Sequence, residues 1–136
     1  MDNNFENEFA TIVYDQTQQV LMLTWHRFAK EEAFRTVMTK FYDLTEQTKC
    51  NKWFFDSRKQ ALISPSDQKW TISEVMRRKL HEIKARTAVV MPENLFMEVS
   101  VSKISREIEQ QSEDPNPSEN LHHFKTPEEA LAWLNQ

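Results

Sequence analysis

The chain has 136 residues, 39% hydrophobic and 28% charged, the balance of one folded domain rather than of disordered chain. Its 21 acidic and 17 basic residues leave a net charge of −4, which gives no electrostatic reason to expect nucleic acid as a partner. It contains no glycine, so a Walker loop, a G-x-G-x-x-G dinucleotide turn, a kinase-type loop and a G-x-S-x-G nucleophile elbow are excluded.

The opening MDNNFENEF is acidic and polar, unlike a signal peptide. Phe9 to Asp15 and Gln18 to His26 are β-rich runs joined by a short polar connection, which reads as a β-hairpin. Its turn has no Asn-Gly pair, so the turn type stays open. Lys30 to Lys49 reads as a helix, because Phe34, Val37, Met38, Phe41 and Leu44 or Thr45 recur at spacings of three and four. Lys52 to Asp56 is a short aromatic strand ending at a polar turn.

Ser64-Pro65-Ser66-Asp67 starts the next helix, with Ser64 as N-cap, Pro65 at N1 and Asp67 at N3 in an acidic variant of the capping box. Ile72, Met76, Leu80 and Ile83 give that helix an apolar face and an expected end near Lys84. Thr87 to Met91 is a compact strand stopped by Pro92. Met97, Val101, Ile104 and Ile108 fit a helical period, and Met97, Val99 and Val101 also fit strand alternation. The pattern lasts to about Gln110, too long for a strand, so a helix is expected. Ser112 to Asn120, with two prolines, is a polar loop. Leu121 to Phe124 is a last short strand, and Thr126-Pro127-Glu128-Glu129 caps a terminal helix.

The order ββαβαβαβα implies a single α/β domain over residues 1–136, with a mixed sheet of about five strands and about four helices. No apolar run approaches the roughly 20 residues of a membrane span, and one cysteine cannot build a disulfide framework. A cytoplasmic location is the expectation.

No catalytic, cofactor or metal constellation is visible. His122 and His123 are adjacent and point to opposite faces of a strand, and His26 and His81 stand alone. Cys50 has lysine neighbours and no histidine, and reads as a packing residue. Met76-Arg77-Arg78-Lys79 is the one compact basic run and reads as a solvated helix face. Asp56, Ser57 and Arg58 follow a buried strand, where α/β sheets place their ligands, although Asp56 also suits a turn or a pair with Arg58. Ser64 and Ser66 sit where a helix N-terminus favours anions, including a phosphate on serine itself, and capping is the plainer reading. Four tryptophans, Trp25, Trp53, Trp70 and Trp133, are many for this length. They point to core packing and to a dimer or partner surface, with Trp70 in the first helical turn.

The early YDxxxxxLxLxW pattern (Tyr14, Asp15, Leu21, Leu23, Trp25), the WFFDSR turn, the QKW helix start and the terminal EEALAWL together resemble the STAS family. That family holds anti-sigma-factor antagonists and the cytoplasmic domains of sulfate transporters. The likeness is closest to small stand-alone bacterial STAS-like proteins and spans nearly the whole chain. It implies a non-enzymatic regulatory or protein-interaction domain with no cofactor. It also implies a working or switch surface around Asp56, Ser57, Arg58, Ser64, Ser66 and Trp70, and a protein partner. The chain departs from the family pattern in lacking its Asp-Ser-Ser-Gly-like turn and in a longer loop from Ser57 to Ile63. The alternative is a small-molecule binding protein for a lipid or an anion, its aromatic residues lining a pocket. A deep apolar cavity against a flat exposed face separates the two readings.

Overall fold

The computed structural model describes residues 5–112 and 120–136. They form an α/β domain of six strands and four helices. The hairpin is β2 (Ala10–Asp15) and β3 (Val20–Trp25). There follow α1 (Glu32–Thr48), β4 (Lys52–Asp56), α2 (Pro65–Arg77), a 3-10 turn (Leu80–Ile83), β5 (Arg86–Val90), α3 (Phe96–Ser112), β6 (Leu121–Phe124) and α4 (Pro127–Leu134). Ahead of them lies β1, the pair Phe5–Glu6, which adds an edge to β2. Two residues carry no periodicity, so this edge is a gain of the structure. The polar loop expected over 112–120 falls, for 113–119, outside the described residues.

The sheet runs β1-β2-β3-β4-β5-β6 in chain order, antiparallel up to β3 and parallel from β3 to β6. Each parallel step passes through one helix. Right-handed crossovers that always advance in one direction put every such helix on the same face. The packing agrees. Leu21, Leu23 and Trp25 of β3 join Phe34, Val37, Met38, Phe41 and Leu44 of α1, Val75 of α2, and Met97 and Val101 of α3 in one core. The alternate residues Val20, Phe54, Ala88 and Val90 pack with Ala130 and Leu134 of α4 on the other face.

Helix starts follow their local chemistry. Ser64 Oγ accepts the Asp67 amide at 3.2 Å and donates to its carboxylate at 2.9 Å. Thr126 does the same with Glu129, at 3.2 and 3.0 Å. In both boxes the acid meets the cap hydroxyl.

One helix departs from expectation. α2 stops at Arg77, Lys79 turns left-handed at φ 58°, and the separate 3-10 turn carries the chain to Lys84. The buried face of α2 is Asp67, Thr71 and Val75, and Ile72 and Met76 are half-buried at its side. Leu80, carried by the 3-10 turn, still joins the core. The two arginines of the basic run are paired in place. Arg77 pairs with Glu74, and Arg78 reaches Asp43, Glu46 and Glu74 within 3.1 Å.

Candidate functional site: an apolar chamber under the helices

Between the sheet and α1–α3 lies a chamber of about 210 Å³. Trp25, Trp53, Phe55, Thr87, Val89 and Leu121 form its floor on four neighbouring strands. Phe34, Met38 and Tyr42 of α1 and Thr71 and Val75 of α2 make one wall. Met97, Val101, Ile104 and Ile108 of α3, the stripe that identified this helix, make the opposite one.

The aromatic residues hold each other in fixed geometry. Trp25 stacks on Phe34 at 5.6 Å with ring planes 7° apart, and Tyr42 stacks on Trp70 at 6.3 Å. Burial, with the Glu74 charge nearby, pushes the Tyr42 hydroxyl far above the usual phenol range, so the wall it forms is neutral.

Polar lining gathers at the amino ends of β5 and β6. Lys84 there is exposed, and His81, Ser105 and Asn120 are half-buried. His81 Nδ1 is buried and has no hydrogen-bond partner among the described residues. Among the described residues, Lys84 is the one charged residue of the lining, and no carboxylate takes part. A second recess of about 280 Å³ shares Val101, Ser105 and Leu121 with the chamber and adds Ser102, Arg106, Glu109 and His123. His123 lies 3.6 Å from Glu98, whereas His122 stacks on Trp133 at 4.5 Å, so these neighbours do face opposite sides.

The six residues expected to form a working surface are distributed. Asp56 is buried and grips Arg58 through Nε at 3.0 Å and Nη2 at 2.7 Å, a two-point clamp that also raises the guanidinium pKa. Ser57 is buried, its amide bonded to the Val90 carbonyl, and it is the one member of the set that lines the chamber. Ser64 is occupied as a cap, while Ser66 is exposed beside it at 3.4 Å between hydroxyls. Trp70 is half-buried against Phe34 and Tyr42, with Arg35 over its ring at 5.9 Å.

Cys50 donates weakly to the carbonyls of Gln19 and Lys52, and burial pushes its thiol up, which suits packing rather than nucleophilic chemistry. Among the described residues, no three His, Cys, Asp or Glu side chains come together as metal ligands. None of the helices among the described residues is long and apolar enough to cross a membrane.

Sequence reasoning missed His81, Lys84, Ser105 and Asn120. The α3 stripe and the aromatic abundance were the available signals for a chamber. Its polar end joins three separate elements, and no local spacing encodes that. No family model, curated protein or solved structure matches this chain.

Proposed function

We propose that this protein is a small-molecule-binding domain whose ligand is apolar and lies between the sheet and α1–α3. The observation that carries this reading is the chamber itself. Protein interiors are close-packed, with few voids larger than water. A half-open recess of about 210 Å³ lined mainly by tryptophan, phenylalanine and aliphatic side chains is apolar space that such packing leaves unfilled. It exceeds the ~150 Å³ of an engineered apolar cavity that stays dry and takes benzene. It is smaller than the ~300–1,000 Å³ of pockets for drug-sized ligands. A single ring system or a chain of medium length matches that range.

The lining supports binding over catalysis, because among the described residues it carries one imidazole, no carboxylate and no thiol. We place this reading ahead of the regulatory docking domain that the STAS resemblance implies. A chamber is a feature with a shape to fill, whereas the helix-start serine Ser64 already has a structural role in capping.

Trp25 and Trp53 report on the chamber directly. Titration with octanol or naphthalene should shift tryptophan emission and raise the thermal midpoint in parallel. At about a hundredfold excess over Kd the gain is about 2.7 kcal/mol. Unchanged emission and midpoint with both probes would remove the proposal.

A further inference from the structure

The chamber has an electrostatic direction. The chain as a whole carries net charge −4, yet among the described residues the lining holds a lysine, a histidine and no acid. Both lie at one end, on either side of the 3-10 turn's last residues, with Lys84 exposed and His81 half-buried. The buried Nδ1 of His81 lacks a partner among the described residues, and a buried polar atom in that state is costly until something bonds to it. Ser105 and Asn120 add hydrogen-bonding groups at the same end. The nearest acid of the adjoining recess, Glu109, shares that recess with Arg106 and His123. The rest of the lining, from Trp53 to Trp25 and Phe34, is mostly apolar and aromatic, with the uncharged hydroxyls of Ser57, Thr71, Thr87 and Tyr42 among it.

The geometry points to a carboxylate amphiphile as the ligand, its hydrocarbon part against Trp25, Phe34, Trp53 and Phe55 and its carboxylate between Lys84 and His81. This rests on the chamber being a binding site and adds the chemistry of the head group. A carboxylate accepts from an ammonium and from an imidazole N–H at once, and such charge-assisted bonds are the strong ones. A neutral head forms the weaker kind, and a cationic head meets Lys84 with like charge. The volume sets the tail. A chain of medium length fills the chamber, while a long membrane-lipid chain exceeds it.

The test holds the tail constant and changes the head. Octanoate, octanol and octylammonium are titrated into the full chain, read by tryptophan emission. Octanoate should bind at least about tenfold more tightly than octanol, the effect of one charge-assisted bond, and octylammonium should bind weakest. Lys84→Gln is exposed, so the fold survives it. It should bring octanoate down to the octanol value and leave octanol unchanged. His81→Phe should weaken octanoate too, while the free protein becomes no less stable, since a buried unpaired nitrogen is removed. Octanol binding as tightly as octanoate overturns the head-group assignment and leaves the chamber reading standing. Octylammonium in first place does the same. Silence from all three probes overturns both. A phosphatidylcholine vesicle that competes no better than buffer would mark the free acid, rather than a lipid in a bilayer, as the source.

Discussion

Asp67 is a fully buried carboxylate that three donors reach from different parts of the chain: the Glu31 amide at 2.8 Å, the Arg35 Nε at 2.9 Å and the Ser64 hydroxyl at 2.9 Å. It thereby ties the start of α1 to the start of α2, both of which contribute to the chamber. Asp67→Ala leaves those donors without their acceptor, and each such loss costs about 1–3 kcal/mol. We expect a total near ~3 kcal/mol in urea unfolding, and about 1 kcal/mol for Asp67→Asn, which keeps an acceptor. A loss for Asp67→Ala inside the ~0.5 kcal/mol of ordinary surface changes would disprove this role. Gln60 works alike, bonding both the amide and the carbonyl of Ala29 from a fully buried position. The capping contact of Asp67 with Ser64 was legible in the sequence, but its link to Glu31 and that of Gln60 to Ala29 were not, because those partners lie 36 and 31 residues away. Asp56 is the converse case. Its partner Arg58 is two residues on, and the pair was legible beforehand.

Elements were most legible where one signal dominates. β4 and β6 lie at the expected residues, and the capped starts of α2 and α4 are found at Pro65 and Pro127. The end of α2 was not legible, because Lys79 adopts a left-handed conformation that lysine does not advertise. That exposes the physical consequence of a chain without glycine. Gln19, Glu31, Lys49, Lys79 and Lys84 all take positive φ. Glu31 is the extreme case, at φ 55° and ψ −130°, outside the left-handed helical well and in backbone space that glycine alone enters freely. Strain of this kind costs about 1–3 kcal/mol. Glu31→Gly keeps the amide that Asp67 accepts and relieves the strain, against about 1 kcal/mol of added chain entropy. We expect a net gain of about 1 kcal/mol in urea unfolding. Glu32→Gly, one residue inside α1, should lose about 1 kcal/mol. Equal losses from both would show that Glu31 stores no strain.

At the scale of the whole molecule, the topology explains why the chamber sits where it does. Strands that advance in one direction send α1, α2 and α3 to the same face, and α4 alone covers the reverse. The 3-10 turn and the start of β5 edge the space between these helices and the sheet. The alternation of strand and helix made that architecture legible. The size of the gap was not, because it depends on how α3 and the break at Lys79 pack, which no periodicity records. An unfilled apolar gap lowers stability by the dispersion contacts its walls forgo, so binding and stability should oppose each other here. Ala85 tests this, being buried in the lining just before β5. Ala85→Leu should occupy part of the gap, raise the stability of the free protein by about 1 kcal/mol and abolish the octanol response. A variant that gains stability yet still answers octanol fully would place the ligand elsewhere. One that loses both stability and binding would mean that the gap is already filled to the tolerance of the core, since overpacking itself costs about 1–3 kcal/mol. The joint movement of the two quantities in opposite directions is the signature that a site kept open for a ligand should leave.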